Sequence, residues 1–267
     1  MKDSWASSDP YEYFMGRWSR LVARSFLNWL SPLPDKKWLD VGCGTGALTE
    51  EIINNHEPAQ LTAVDQYEGF LIKVQQLGNW VDCKIGNALA LPLEDSSINI
   101  TVSGLVLNFI SEPDKALSEM KRVTAPGGTV AAYVWDYAGK MDFLNYFWDV
   151  AAELDPKASD LHESKRFPDT NTDALDELFI SAGFVEPVTL PIEIETNFQS
   201  FDDYWKPFLG GQGPAPTYVA SLNKPKRNNL RNALSERLPI QSDGSIPMVA
   251  RAWATSSQIS NTRTLNR

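Results

Sequence analysis

The sequence has few of the residues that bind metal ions or form disulfides. Of its 267 residues, only two are cysteine and two are histidine. Cys43 and Cys83 form no CxxC pair and have no adjacent histidine, which argues against both a disulfide framework and a zinc site. We therefore expect a reduced compartment and no bound metal.

Long apolar runs and an excess of basic residues are missing as well. No stretch of about 18 apolar residues is present, and the opening MKDSWASSDP lacks the basic-then-apolar order of a signal peptide. We therefore predict a cytoplasmic protein without a membrane segment. The formal net charge of −10 repels phosphate backbones, so no nucleic acid partner is expected.

Apolar and aromatic residues are plentiful, at 43% and 11% of the chain, and are sufficient for a sizeable core. Between residues 36 and 136, apolar runs typical of strands alternate with helical stretches; the runs are WLDVG (38–42), LTAVD (61–65), VDCKI (81–85), INITVSG (98–104) and GTVAAYVWD (128–136). This alternation predicts an α/β fold with a doubly wound, mostly parallel sheet. We expect about seven strands, the last pair antiparallel, and a helical cap.

The apolar pattern also predicts how the chain is divided. Apolar residues recur at helical spacing from Trp18 to Trp29, and the strand-helix rhythm stops after Tyr137. The predicted segments are an N-terminal cap helix (1–35), a cofactor-binding core (36–136), a helical insertion (137–170), the remainder of the sheet (171–255) with a lid insertion (200–238), and a flexible tail (256–267).

The strongest local signal is the segment from Asp40 to Gly46, DVGCGTG, between a strand and a helix. Glycines there permit positive φ and let backbone N–H groups approach a ligand at the helix N-terminus. The GxGxG spacing differs from the GxGxxG of dinucleotide enzymes. The Asp40 carboxylate would repel a pyrophosphate but could hold an ammonium group, directly or through water, which favours a zwitterionic ligand.

A second acidic residue, Asp65, ends the next strand 19 residues after Gly46. A carboxylate in this position can accept hydrogen bonds from both hydroxyls of a ribose. Asp65 and Asp40 together favour a nucleoside that carries an amino-acid group. The alternative is a glycine turn that merely packs a helix on a strand.

Five segments resemble, in order and spacing, the motifs of class I S-adenosylmethionine-dependent methyltransferases: WLDVGCGTGALTE, LTAVD, IGNALALPLEDSSINI, VSGLVLNFI and LSEMKRVTAPGGTVAAYVWD. The pattern is similar to the small-molecule enzymes grouped with the ubiquinone/menaquinone-biosynthesis C-methyltransferases. It covers residues 36 to 136 and implies the fold and S-adenosyl-L-methionine as cofactor, but not the acceptor.

The resemblance also implies cofactor-binding residues. Gly42, Gly44 and Gly46, with Cys43 in the same turn, would wrap the methionine end. Asp65 and Gln66 would hold the ribose, Asn87, Ala88 and Leu89 would line the adenine, and Leu105 would lie beside the cofactor. Two positions depart from the family, because Asn87 and Asn99 stand where Asp is usual or frequent. Asn87 can still accept a hydrogen bond through its amide oxygen.

Candidate substrate residues follow the fourth and fifth strands, at the edge where open α/β sheets bind ligands. Asn108 lies where relatives often have His or Asp and could orient the acceptor, or it could cap a loop. Trp135 and Asp136 end the fifth strand. In the N-terminal helix, Arg17 or Arg20 could clamp the cofactor carboxylate, the alternative being ordinary surface cations.

The aromatic cluster that contains Tyr204 and Trp205 lies beside the Gly/Pro-rich segment PFLGGQGPAP, so we predict a lid over an apolar acceptor. The alternative is packed core. The predicted function is therefore methyl transfer to a small, partly apolar molecule by a monomer or homodimer. A methyltransferase of RNA or protein, or a cofactor-binding regulator without transfer activity, stays open. No catalytic residue is assigned.

Overall fold

The computed structural model describes residues 12–168, 170–210 and 213–261. Within these ranges the strands are β1 (Lys37–Val41), β2 (Gln60–Asp65), β3 (Asp82–Ile85), β4 (Ile98–Gly104), β5 (Thr124–Trp135), β6 (Val188–Glu195) and β7 (Val249–Gln258). The α-helices are α1 (Arg17–Leu30), α2 (Ala47–Asn55), α3 (Glu68–Leu77), α4 (Pro113–Val123), α5 (Asp142–Leu154), α6 (Glu163–Arg166), α7 (Thr172–Ser181), α8 (Phe201–Trp205), α9 (Pro214–Ser221) and α10 (Lys224–Arg237). Short 3₁₀ or π turns lie at 12–16, 107–109, 156–161 and 206–210.

The seven strands form one sheet in the order β3-β2-β1-β4-β5-β7-β6. The pairs β1-β2, β1-β4, β2-β3 and β4-β5 are parallel. β7 runs antiparallel to β5, since the backbone N–H of Gly127 donates to the carbonyl oxygen of Ile259 and that of Asp136 donates to the carbonyl oxygen of Arg251. The predicted α/β doubly wound, mostly parallel sheet of seven strands is confirmed.

The first helix has the extent that the apolar spacing predicts. α1 begins at Arg17 and ends at Leu30, directly before Ser31, whose φ of +44° takes the backbone out of the helical region. Residues 1–11 of the predicted N-terminal cap segment lie outside the described residues.

Strand β5 begins earlier than the sequence predicts. The APGG segment at 125–128, which lies mostly before the predicted strand (128–136), belongs to β5. It forms a bulge, because the register against β4 passes from Ile98↔Thr124 to Ile100↔Thr129. Gly127 has a φ of +76°, and a Cβ on Gly128 would lie 2.6 Å from the carbonyl oxygen of Asn99. The glycines therefore let the strand bend close to its neighbour, and a glycine pair alone does not reveal this.

The last strand also extends further than the predicted end near Thr255. β7 continues to Gln258 because Ile259 pairs with Gly127 and Gly128 at the bulge. Residues 262–267 of the predicted tail lie outside the described residues.

The chain divides into two compact units. The first, called the sheet unit, comprises Ser19–Val134, Asn171–Ile192 and Trp253–Arg267. Its core is mainly aliphatic, and the members buried together include Leu39, Val64, Leu117, Met120 and Val130. These residues come from β1, β2, β5 and the inner face of α4, as expected for a helix packed on a parallel sheet.

The second unit, called the helical unit, comprises Met1–Trp18, Trp135–Thr170 and Glu193–Ala252. Its core is aromatic. Phe147 of α5 stacks on Phe208 with ring centroids 4.5 Å apart and an interplanar angle of 6°. Phe14 meets Phe208 edge-on at 5.4 Å, and Tyr204 lies 5.2 Å from the same ring. Among the described helices, none is both long and apolar enough to cross a bilayer.

Candidate functional site

The glycine turn after β1 adopts backbone angles that glycine tolerates best. Gly42, Gly44 and Gly46 have φ of +70°, +52° and +92°. A Cβ on Gly42 would lie 2.8 Å from a methyl carbon of Val106, whereas a Cβ on Gly44 would meet nothing within 4 Å. α2 begins at Ala47, directly after Gly46. The Gly44 backbone therefore faces open space near a helix N-terminus, where a ligand can approach main-chain N–H groups.

Asp65 joins this turn to the end of β2. Its Oδ2 accepts a hydrogen bond from Gly44 N at 3.0 Å, and its Oδ1 accepts one from Tyr67 N at 2.9 Å. Burial raises the pKa of Asp65, while the backbone donors at Tyr67, Gly44 and Gln66 act in the opposite direction. Each carboxylate oxygen keeps a lone pair. The carboxylate is thus held by the backbone and can still accept hydrogen bonds from a diol.

Asp40 is the more deeply buried of the two acids, at 1% exposure. Its Oδ2 accepts a hydrogen bond from Thr49 Oγ1 at 2.7 Å, but its Oδ1 has no hydrogen-bond partner within the described residues. Burial, followed by the nearby charge of Asp65, raises the pKa of Asp40 to about 7. A buried acceptor without a donor is costly. Oδ1 is therefore fitted to receive a cationic or hydrogen-bonding group of a ligand.

Thr49 is a site residue that the sequence analysis missed. It is fully buried in the first turn of α2 and donates to Asp40, so it fixes the orientation of that carboxylate. Its position three residues after Gly46 is the one signal that could have identified it.

The loop after β3 contains the predicted adenine-lining residues. Asn87 is exposed, while Ala88 and Leu89 are half-buried; the predicted ribose residue Gln66, which directly follows β2, is exposed as well. The Asn87 Oδ1 accepts a hydrogen bond from Leu89 N at 2.9 Å, which closes a tight turn. One lone pair of this oxygen is thereby used, and the second can accept from an amino group. Asn99, the second position that departs from the family, lies away from this loop. Its Oδ1 accepts a hydrogen bond from Lys37 N at the amino end of β1.

Arg122, at the end of α4, anchors the same loop. Its guanidinium donates to the carbonyl oxygens of Leu91 and Leu93 at 3.1 and 2.9 Å and pairs with Glu119 and Asp95. Glu119 in turn accepts from Leu91 N at 2.8 Å. These acids raise the pKa of Arg122, whose charge is permanent. The loop that contains Asn87 is therefore tied down at its far end.

The segment after β4 contributes a strained residue and an unsatisfied amide. Leu105 has a φ of +62°, uncommon for a non-glycine residue, and its N–H donates to Tyr133 O at 2.7 Å. Asn108 follows in the 3₁₀ turn, with both Oδ1 and Nδ2 buried and without a partner in the part of the chain that the structure describes. A side chain that only capped a loop would use at least one of these atoms. The amide is thus able both to donate to and to accept from a ligand.

These predicted residues of the sheet unit meet at one edge. Asp40 and Asp65 lie at the carboxyl ends of β1 and β2, the glycine turn and Asn87 follow β1 and β3, and Leu105 and Asn108 follow β4. Such an edge is where open α/β sheets bind ligands.

The other predicted site residues belong to the helical unit. Arg17 pairs with Asp203, Nη1 to Oδ1 at 3.0 Å. Asp136 is occupied by structural contacts: its carboxylate accepts from Gly139 N at 2.9 Å and from Arg251 Nε at 2.7 Å. Trp135 is buried beside it. A substrate role for Trp135 and Asp136 stays a prediction.

Tyr204 and Trp205 are also buried in the helical unit. The Tyr204 hydroxyl donates to Phe143 O at 2.9 Å, and its ring is fully shielded from solvent. Trp205 lies 6.2 Å from Phe208. These contacts suit packed core, and the contact of both residues with an acceptor stays a prediction. Over the described ranges, no group of His, Cys, Asp and Glu is arranged to hold a metal ion.

The strand order, with β7 antiparallel, and the glycine turn after β1 define the Rossmann-like methyltransferase fold. Residues 39–132 match the family model described as a methyltransferase domain. This match spans about a third of the chain and identifies a methyltransferase domain in that part of it.

Similar proteins support this assignment. The malonyl-[acyl-carrier protein] O-methyltransferase of Halorhodospira halophila is 32% identical over 174 residues, which cover 63% of this chain and 56% of the relative. The ubiquinone/menaquinone biosynthesis C-methyltransferase of Cereibacter sphaeroides is 29% identical over 115 residues, covering 41% of this chain and 46% of the relative. The chain thus spans about half the length of these curated relatives.

Among solved structures, phosphoethanolamine N-methyltransferase 2 of Haemonchus contortus, in complex with S-adenosyl-L-methionine, is similar with a TM-score of 0.60. The identity is 14%, and the match covers 96% of this chain and 57% of that one. At this identity the similarity supports the fold.

Proposed function

We propose that this chain transfers a methyl group from S-adenosylmethionine to a small, partly apolar molecule. The observation that supports it most directly is the pair of buried acids at the glycine turn. Asp65 is held by two backbone N–H groups, while Asp40 presents a buried oxygen without a partner among the described residues. A nucleoside with an amino-acid group offers a diol to the first acid and an ammonium to the second.

The residues of the sheet unit have distinct tasks in this proposal. Asp65, with Gln66, accepts the ribose hydroxyls, and Asp40 receives the ammonium. Asn87, Ala88 and Leu89 border the adenine, and Gly42, Cys43, Gly44, Gly46 and Leu105 border the methionine end. The donor supplies a methyl group on a sulfonium that is already reactive, so the protein mainly has to align the acceptor and exclude water.

Asn108 is the residue we assign to the acceptor. Its amide has both a donor and an acceptor atom buried and unpaired in the described ranges. It can therefore orient a hydroxyl, amine or carbonyl group beside the donor. A small acceptor is supported by the names of relatives, one of which acts in ubiquinone and menaquinone biosynthesis. The net charge of −10 disfavours RNA.

Direct binding tests the donor, and labelling tests the acceptor. Calorimetric titration should show that S-adenosylhomocysteine binds and that NAD does not. Incubation with methyl-labelled donor and a metabolite extract should then label a small product. NAD binding at comparable affinity would overturn the donor assignment. Label on protein or RNA only would favour the alternative acceptors, and donor binding without any labelled product would favour a regulator.

A further inference from the structure

The guanidinium of Arg17 forms hydrogen bonds through only one of its three nitrogen atoms within the described residues. Its Nη1 donates to both carboxylate oxygens of Asp203, at 3.0 and 3.2 Å. Its Nε and Nη2 are shielded from solvent and have no acceptor anywhere in the described part of the chain. The N–H bonds of Nε and Nη2 point in parallel, and this edge of a guanidinium matches the two oxygens of a carboxylate.

Two aromatic rings hold the guanidinium in place. Its Cζ lies 4.2 Å from the centre of the Trp18 ring and 4.7 Å from that of Phe198. The two rings meet edge-on with centroids 5.3 Å apart. Asp203 is fixed as well, since it accepts a hydrogen bond from Gln199 N at 3.0 Å. The free edge of Arg17 is therefore preorganised.

Two further polar atoms of the helical unit are buried and unpaired in residues that the structure describes: Trp18 Nε1 and Thr196 Oγ1. Thr196 lies two residues before Phe198. The backbone N–H groups of Thr196 and Phe198 donate to Met248 and Ile246, so the segment is extended and both side chains lie on one face. Trp18 and Thr196, both of the helical unit, thus each keep a buried donor without a partner in the described residues, and the Trp18 ring contacts both Arg17 and Phe198.

The chemistry of these atoms selects the ligand. Guanidinium and indole N–H groups can only donate, so their partner must be an acceptor, and the charge of Arg17 favours an anion. Asp203 already neutralises part of that charge, which favours a singly charged carboxylate over a phosphate dianion.

We propose that Arg17, Trp18 and Thr196 form a binding site for the carboxylate of a small molecule. This rests on the proposed function, which supplies two sources of that group: the amino-acid end of the methyl donor, or a carboxylate on the acceptor. Arg17 provides two parallel N–H donors, and Trp18 Nε1 and Thr196 Oγ1 complete the site.

The first experiment compares two nucleosides by calorimetric titration. S-adenosylhomocysteine has the carboxylate, and 5′-methylthioadenosine lacks it. Arg17→Lys retains the charge but loses the parallel N–H pair. Arg231→Lys is the matched control, because Arg231 also pairs with an aspartate, Asp202, and lies over a phenylalanine ring at 5.0 Å, but on the surface. If the carboxylate belongs to the donor, Arg17→Lys lowers the affinity for S-adenosylhomocysteine at least tenfold and leaves the affinity for methylthioadenosine unchanged. Arg231→Lys changes neither affinity.

The second experiment tests the acceptor as the source. Thermal stability is measured with saturating S-adenosylhomocysteine and a panel of short to medium-chain carboxylic acids, with their methyl esters as controls. If the carboxylate belongs to the acceptor, the acids raise the melting temperature of the wild type and the esters do not. Arg17→Lys abolishes this rise in melting temperature. Thr196→Val, which is nearly isosteric, should weaken the same ligand by about threefold and keeps the test valid if Arg17→Lys folds poorly.

The outcomes separate this inference from the proposed function. If Arg17→Lys and Thr196→Val bind S-adenosylhomocysteine like the wild type and no acid gives a shift that depends on Arg17, the carboxylate site is wrong. If neither nucleoside binds the wild type, the proposed function itself fails.

Discussion

The sheet unit and the helical unit are filled by different kinds of side chain. Branched aliphatic residues fill the sheet unit, where strands impose an alternating pattern on them. Aromatic rings fill the helical unit, and they meet at edge-on, tilted and stacked angles. Aliphatic layers on a sheet permit little variation in backbone position, whereas large rings can fill irregular spaces between short helices.

This difference extends to the polar atoms that lack partners. In the sheet unit they include Asp40 near the end of β1 and Asn108 in the turn after β4, together with the indole nitrogen of Trp38 inside β1. In the helical unit they belong to the neighbours Arg17 and Trp18, which both contact Phe198, and to Thr196, two residues before that phenylalanine. The following predictions test this contrast.

The largest effect should come from the aromatic core of the helical unit. Phe208→Ala removes a ring that is 1% exposed and stacked on Phe147, so it should lower the free energy of unfolding by about 3–5 kcal/mol. Leu209→Ala is the matched control, because that side chain is 51% exposed, and it should change stability by about 0.5 kcal/mol or less. Urea unfolding measures both. Equal, small effects would show that the aromatic cluster contributes little to stability.

The next effect concerns Asp65 of the sheet unit, which we propose binds the ribose. Asp65→Ala should weaken S-adenosylhomocysteine binding by about 1.5–3 kcal/mol, because hydrogen bonds to a charged acceptor are lost. Asp82→Ala serves as control, since Asp82 begins β3 at the opposite end of the strands. Titration calorimetry compares the two variants. Normal affinity in Asp65→Ala would mean that this acid only terminates β2.

A smaller effect is expected from proton binding at Asp40. Burial raises its pKa to about 7, and a ligand ammonium favours the ionised form. Affinity for S-adenosylhomocysteine should therefore rise with pH and be about tenfold weaker at pH 6 than at pH 8. Methylthioadenosine, which has no ammonium, should show no such slope, and Asp40→Asn should remove it. A slope that persists in Asp40→Asn would assign the proton to another group.

The same carboxyl group also affects the stability of the free protein. Its folded-state pKa lies above its ordinary value of 3.8, so the folded state binds the proton more tightly than the unfolded chain does. The resulting stabilisation is complete below about pH 4 and is lost as pH rises through about 7. Asp40→Asn should flatten this part of the stability profile.

The smallest effect should be a change in dynamics within the helical unit. If residues 200–210 act as a lid, hydrogen exchange there should slow when S-adenosylhomocysteine binds. The buried Tyr204 and its bond to Phe143 favour the alternative, a segment that is static in both states. Peptides of α4, in the sheet unit, provide the unchanged reference. High protection without ligand would exclude the lid.

The sheet unit was largely predictable because its signals are local. The apolar runs located the strands, and DVGCGTG located the turn, since positive φ at Gly42, Gly44 and Gly46 leaves few alternatives to glycine. Leu105 has the same left-handed backbone without being glycine, and here only the pairing of its N–H with Tyr133 explains the conformation.

The helical unit was less predictable because its contacts are distant in sequence. Arg17 was a candidate on residue type alone, but its pairing with Asp203 spans 186 positions. Nothing near Thr196 in the sequence indicates that its hydroxyl would be buried without a partner among the described residues. Such groupings follow from the packing of aromatic residues, which sequence spacing does not specify.

The contacts of Arg122 have a consequence for binding thermodynamics. A loop that becomes ordered only on contact with its ligand loses conformational entropy at that moment, and its affinity falls accordingly. Here one permanently charged side chain holds the loop after β3 through the carbonyl groups of Leu91 and Leu93. The entropy of the loop is therefore lost during folding, and if the loop borders the adenine as we propose, adenine binding should show a small entropic penalty and a fast association rate.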